Sequence, residues 1–150
     1  MLLGLISDTP NLLRPEAAAA LQGVDQILHA GDIGDQSILK SLEKIAPTTA
    51  VRGNVDTESW SKHLPETDLV EAGGITIYLI HDLSKLDLKP ETAGIAAVIY
   101  GHSHQPKIEE KKGVLYINPG SAGPRRFNLP ITIGKLEITK GTLKAEILTL

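Results

Sequence analysis

Ile95-Ala-Ala-Val-Ile-Tyr-Gly-His-Ser-His104 is the stretch on which the fold turns. Its first six residues, Ile95 to Tyr100, are apolar and rich in β-branched side chains, the pattern of a short buried strand. Gly101 ends that run, and His102 and His104 follow at once on the turn. In an open α/β sheet, chemistry collects beyond the carboxyl ends of the strands. Two imidazoles at i and i+2 on such a turn reach two different points above the sheet edge, not one shared metal face. A His-x-His pair is common without a metal. It gains weight here because the chain repeatedly sets a ligand-type residue just after a strand-like run.

Upstream, Met1 to Ser7 is apolar almost throughout, as expected of a strand covered on both faces. Asp8 opens the loop that follows. Pro15 starts a helix where its missing N–H costs nothing, and Gly23 closes it. Val24 to Ala30 returns as a strand, broken by Gly31-Asp32-Ile-Gly34. Asp35 is a good N-cap for a second helix, whose apolar residues Ile38, Leu39, Leu42, Ile45 and Ala46 share one face. Pro47 stops it, and Thr48 to Arg52 is a third strand ended by Gly53-Asn54. Such a βαβαβ run calls for parallel strands with right-handed crossovers.

The second half changes character. Leu64 to Ala72 and Ile75 to Ile80 read as a hairpin about Gly73-Gly74, with His81-Asp82 ending it. Lys85 to Gly94 is polar, with room for one short helix near Pro90. Lys107 to Glu110 and Val114 to Asn118 pair around Lys111-Lys-Gly113. Ile131 and Ile133 have one parity and Leu136 and Ile138 the other, which predicts a bulge at Gly134. A last strand turns Leu143, Ala145 and Ile147 inward. The simplest assembly is one α/β domain over residues 1–150, two packed sheets with helices outside.

Composition narrows the function. The net charge is −3 and aromatic residues are few, which argues against general nucleic-acid binding and base stacking. Without Cys there are no disulfides or thiolate metal sites, which fits a cytoplasmic protein. No apolar run is long enough for a membrane span, and no leader pattern precedes the first strand.

The residues just after the buried strands are Asp8, Asp32, Asn54, His81 and the pair His102 and His104. These oxygen and imidazole donors suit Mn²⁺, Fe²⁺, Zn²⁺ or Ni²⁺ better than Ca²⁺. Six ligands are too many for one metal that keeps an open position, but they suffice for two. Asp32, between glycines that let the backbone approach, is the natural bridge. Two metals about 3.5–4 Å apart can bind both oxygens of a phosphate and hold a bridging hydroxide in line for attack. The bland alternatives are a capping role for Asp8, a left-handed turn at Asn54 and a core histidine at position 81. The series as a whole favours ligation. His29 and His63 read as structural, with His29 expected to donate to a backbone carbonyl. Arg125 and Arg126 on the Pro119–Asn128 loop read first as a solvated pair, with contact to a phosphate oxygen or a distal substrate charge as the alternative.

Ser7-Asp8-Thr9, Gly31-Asp32, Gly53-Asn54-Val-Asp56, Ile80-His81 and Gly101-His-Ser-His104 resemble the ordered motifs of calcineurin-like metallophosphoesterases. Asn118-Pro-Gly-Ser121 resembles a further motif of the small prokaryotic phosphodiesterase branch. The resemblance implies a two-sheet α/β/β/α sandwich and a phosphodiesterase without a covalent enzyme intermediate. It implies one metal on Asp8, bridging Asp32 and His104, and another on Asp32, Asn54, His81 and His102. Two divalent ions, Mn²⁺ first and Fe²⁺, Ni²⁺, Zn²⁺ or Mg²⁺ as alternatives, would serve a small phosphodiester or phosphate ester substrate. Asp32, Asn54 and His102 are then the catalytic candidates, with Asn54 and Arg125 on the substrate.

Three residues depart from the family pattern. Pro10 stands where members usually carry a metal-binding His, so the first site loses a ligand. Val55 replaces a His thought to protonate the leaving group, which predicts slow turnover of poor leaving groups. Asp82 stands where relatives often have Gly. The rival expectation is a catalytically weak or inactive phosphoesterase-like scaffold for protein partners, for which a retromer subunit of this fold is the precedent by resemblance.

Overall fold

A computed structural model describes residues 1–150. The first half is β1 (Leu2–Ile6), α1 (Pro15–Ala20), β2 (Gln26–His29), α2 (Gln36–Glu43) and β3 (Thr48–Ala50). The second half is β4 (Thr67–Ala72), β5 (Ile75–Ile80), β6 (Ile95–Ile99), β7 (Lys107–Lys111), β8 (Val114–Asn118), β9 (Thr132–Thr139) and β10 (Thr142–Thr149). Pro15 takes the first helical position of α1, and the Asp35 carboxylate caps α2 by accepting from the Ser37 N–H at 3.1 Å.

Two five-stranded sheets result, in the orders β10-β9-β1-β2-β3 and β4-β5-β6-β8-β7. In the first, β1, β2 and β3 run parallel and β9 and β10 run antiparallel. In the second, β5, β6 and β8 are parallel between antiparallel edges. Three hairpins turn on pairs with φ above zero, Gly73-Gly74, Lys112-Gly113 and Lys140-Gly141, as two-residue turns of the strands' own twist require.

Leu3, Leu5, Leu28 and Val51 of the first sheet meet Ile77, Leu79, Ile99 and Ile117 of the second in the central core. The other face of the first sheet carries α1 and α2 through Ile6, Leu21, Ile27, Ile38 and Leu42. Gly4 lets α1 lie close, since a Cβ there would stand 2.5 Å from the Leu21 side chain. The outer face of the second sheet, with Tyr78, Val98, Tyr100 and Tyr116, has a thinner cover. Leu83, Leu86 and Leu88 pack on it from a segment holding two 3-10 turns, Leu83–Lys85 and Pro90–Thr92. The expected α/β sandwich is therefore present, with its fourth layer reduced to those turns.

Two expectations need correction. There is no bulge at Gly134, because β9 pairs with β10 without a break from Thr132↔Thr149 to Thr139↔Thr142. The change of parity arises because both faces of β9 are buried at different heights. Ile133 lies under the helices, and Leu136 and Ile138 lie between the sheets. The strand expected from Leu64 begins only at Thr67. Leu64 instead closes a turn by donating its N–H to the Ser61 carbonyl at 2.9 Å.

Candidate metal centre

Every expected ligand follows a strand: Asp8 after β1, Asp32 after β2, Asn54 after β3, His81 after β5, and His102 and His104 after β6. Four of them, Asp8, Asp32, His102 and His104, have φ between 56° and 74°. A left-handed residue turns the chain abruptly, so the side chain aims back over the strand end. Asn54 is not among them, so the left-handed reading of that residue does not apply.

Asp8, Asp32 and His81 are all buried and offer ligand atoms within 4.8 Å of one another. His81 Nε2 lies 3.2 Å from Asp32 Oδ2, and His104 Nε2 lies 3.4 Å from Asp8 Oδ1. Glycines clear the space. A Cβ at Gly53 would stand 2.2 Å from Asp32, one at Gly31 within 3 Å of the His81 ring, and one at Gly101 at 2.0 Å from Ser7 Oγ.

His81 Nδ1 lies 2.7 Å from the Ala30 carbonyl, which can only accept, so Nδ1 carries a proton. Nε2 then faces Asp32 and Asn54 with either a lone pair or a second proton. Turned with its nitrogen toward the cluster, the Asn54 amide donates to Asp32 at 3.2 and 3.3 Å, and to His81 Nε2 at 3.1 Å only while that nitrogen carries no proton. Burial would lower the His81 pKa, but the Asp32 carboxylate outweighs it and holds His81 above its ordinary value. Burial would likewise raise Asp32, yet His81 and the Val55 N–H keep it below its ordinary value. A cation bound at Nε2 would have to displace the proton that this pairing favours.

Asp8 gives the plainest test of fit. It is fully buried; Oδ2 accepts from the Ser7 hydroxyl at 2.8 Å, but Oδ1 has no hydrogen-bond partner. A buried carboxylate oxygen left so is costly. A cation among Asp8, Asp32 and His104 would compensate it, and the donor set suits a first-row divalent ion. The residues present fit such a metal.

His102 stands apart from this cluster. Its side chain is 49% exposed, its Nε2 lies 3.9 Å from Asp82 Oδ2, and its ring meets His81 edge-on at 5.2 Å. Asp82, whose role the sequence left open, is fixed through Oδ1 by the Ser84 N–H at 3.0 Å and hydroxyl at 2.7 Å. Above the cluster opens a cleft of about 320 Å³, walled by Pro10, Val55, Arg125 and Arg126 among others. Arg125 thus reaches the same space as Asp32, Asn54, His102 and His104. Asn11, next to Pro10, lines a separate hollow with Asp35 and Ser37 and does not replace the missing imidazole.

Sequence reasoning missed the residues that hold the ligand loops. Asp56 is buried and accepts from the backbone N–H groups of Ile33, Gly34 and Gly53 at 2.9 to 3.1 Å, tying the Asp32 loop to the Asn54 loop. Asn118 donates to the Gly101 carbonyl and to Ser103 Oγ, both at 3.1 Å, fixing the turn that carries His102 and His104. Both lie in the quoted motifs, which was the available signal. His29 is structural, but it does not donate to a backbone carbonyl. Its Nδ1 accepts from the Gly31 N–H at 3.1 Å, and its Nε2 lies 2.8 Å from Thr9 Oγ1. The Thr9 hydroxyl donates to the Ile33 carbonyl, so His29 gives it the Nε2 proton. Burial lowers its pKa from 6.5 to about 4.

Two packed sheets with Asp, Asn and His side chains gathered at their strand ends make an α/β sandwich that carries a candidate metal centre. Residues 1–141 match the calcineurin-like phosphoesterase superfamily domain, and the chain belongs to that superfamily. A probable metallophosphoesterase of Methanothermobacter thermautotrophicus is 36% identical over 160 residues, covering 99% of this chain and 92% of that protein. The solved structure of an archaeal phosphodiesterase superposes with a TM-score of 0.79 at 28% identity, covering 99% and 100% of the two chains. A Zn²⁺ complex of Vps29 from Entamoeba histolytica shares the fold, with a TM-score of 0.77 at 23% identity and 99% of each chain covered. No helix is long and apolar enough to cross a membrane.

Proposed function

We propose that this chain is a phosphodiesterase that works with two divalent ions, Mn²⁺ foremost, on small phosphodiesters. The Asp8 Oδ1 that makes no hydrogen bond inside the Asp8–Asp32–His81 cluster is the observation that supports this reading most directly. Asp8, Asp32 and His104 would hold one ion, and Asp32, Asn54, His81 and His102 the other. Bound there, the ions would supply positive charge to the phosphate and bring the pKa of a water near neutrality. The chain's own residues do the rest. The Asn54 amide and the Arg125 guanidinium bind phosphate oxygens from two sides of the cleft, and Asp56 and Asn118 hold the loops still. Val55, 46% exposed on the cleft wall, has no proton to give a leaving group, so esters of acidic alcohols turn over fastest.

Pro10 favours the second reading, a scaffold with a weak or idle centre, because it offers the first site no ligand. Metal content and hydrolysis of a chromogenic phosphodiester, compared with Pro10→His, separate the two. For an enzyme, Pro10→His should lower the metal concentration for half-maximal activity about tenfold, in line with the 10–100-fold effects of ligand-supporting groups. No hydrolysis by either protein with both sites filled would leave the scaffold reading standing.

A further inference from the structure

A second cavity, of about 300 Å³, lies beside the metal cleft, and the function proposed above assigns it no occupant. Asn54 is the one residue common to the walls of both spaces, and His81 of the cluster also lines the second. A phosphodiester carries two arms, so a phosphate held at Asn54 can send one arm into each.

We infer that this cavity receives a neutral, polyhydroxylated arm of the substrate, a glycerol or a pentose. The inference rests on the phosphodiesterase reading. Its wall carries three carboxylates, Glu66, Asp82 and Asp87, against two cations, Arg52 and Lys85. Arg52 is already paired with Glu66 at 3.2 Å. A second phosphate or a carboxylate would meet a net negative wall. A purely apolar arm would find little beyond Ile80 and Tyr78. A nucleobase needs an open aromatic face, and Tyr78 is only 7% exposed.

Hydroxyl groups suit what is there, because each can donate to a carboxylate and accept from an ammonium. Asp82 is already oriented for this. Ser84 holds its Oδ1, which leaves Oδ2 without a hydrogen bond within the fold. Lys85 and Asp87 carry no ion-pair partner, and the Tyr78 hydroxyl makes no hydrogen bond within the protein. Tyr78 lies on the cavity wall, and its hydroxyl is free both to donate to and to accept from a polyol.

The test uses three p-nitrophenyl phosphodiesters with one leaving group, their other arm being methyl, glyceryl or 5′-ribosyl. With Mn²⁺ in both sites, the glyceryl or the ribosyl ester should exceed the methyl ester in kcat/KM by about tenfold. The preferred arm identifies the polyol. Tyr78→Phe and Asp87→Asn, at residues that are neither metal ligands nor assigned to the phosphate, should each reduce that preference threefold to tenfold. Turnover of the methyl ester should not change. Binding is read separately by NMR, titrating glyceryl methyl phosphate, which lacks an activated leaving group, into the full chain. The amide signals of Tyr78 and Lys85 should shift in the parent and not in Tyr78→Phe combined with Asp87→Asn. Equal rates for all three esters, or a preference that survives both variants, would overturn the inference. Failure to hydrolyse any ester overturns the phosphodiesterase reading, and the NMR shifts then decide the cavity's role alone.

Discussion

Asp8, Asp32 and His81, at the floor of the metal cleft, are at most 6% exposed, whereas at its rim His102 has 49% of its side chain in solvent and Phe127, beside Arg125 and Arg126, is 86% exposed. The floor follows strands of both sheets and is tied together by backbone hydrogen bonds. Asp8 N–H donates to the Gly31 carbonyl at 3.1 Å and Thr9 N–H to the Asp32 carbonyl at 2.8 Å. The loop from Pro119 is tied as far as Gly123, where the Ala122 and Gly123 N–H groups donate to the Ser7 and Asp8 carbonyls at 3.1 and 3.0 Å, and only its rim, Pro124 to Asn128, is exposed. The contrast assigns different work to each. A rigid floor can hold charge close to charge, and an exposed rim can adjust to what enters.

Breaking the floor should show the larger effects. Asp32→Asn removes the bridging charge while keeping the shape. Hydrolysis should fall to background and Mn²⁺ stoichiometry from two to one or none, with unfolding still cooperative. Normal turnover with two equivalents bound would place the bridge elsewhere. Asp56→Ala strips the acceptor from three backbone N–H groups of the ligand loops and should cost on the order of 3–5 kcal/mol in urea unfolding. A loss below about 1 kcal/mol would mean that those loops hold themselves.

His29, just beneath the floor, sharpens the same contrast through pH. Its folded pKa, about 4, lies below the 6.5 expected when unfolded. Above pH 6.5 neither state binds the proton. Below it only the unfolded chain does, so stability falls by about 3 kcal/mol as pH drops from 6.5 to 4. His81 works in the opposite sense, because its pKa is raised. The curve is therefore measured in His81→Asn, where His29 is the remaining buried imidazole. A flat curve would show that water reaches His29.

At the rim, Arg125→Ala should raise KM about fivefold to tenfold, as for the loss of one charge-assisted hydrogen bond. Metal content and urea stability should stay unchanged. A change in metal content would mean that the rim helps build the floor.

Much of the floor was legible because strand runs ending in Gly are a local signal. Gly31-Asp32, Gly53-Asn54 and Gly101-His102 each mark a strand end and the residue aimed from it. The bulge expected at Gly134 failed for a non-local reason. Parity along β9 shows which residues are buried, not whether helices or a second sheet cover them. Asp56 stands in a quoted motif, yet its role depends on Ile33 and Gly34, more than twenty residues earlier in the chain. No window of sequence shows which N–H groups a carboxylate will find across the fold. The thin cover over Tyr78, Tyr100 and Tyr116 escaped notice because 3-10 turns leave no periodic pattern.

The left-handed backbone at positions 8, 32, 102 and 104 sets heat resistance against function. Outside glycine, that conformation costs roughly 1–2 kcal/mol per residue. Glycine at any of the four would relieve the strain, and at position 8 it would also remove a buried oxygen that makes no hydrogen bond. A library selected for survival of heating in a chelating buffer would therefore drift toward glycine at these sites and lose the proposed metal ligands. Selection with metal present would keep Asp and His there, because the bound ions then supply more stability than glycine returns.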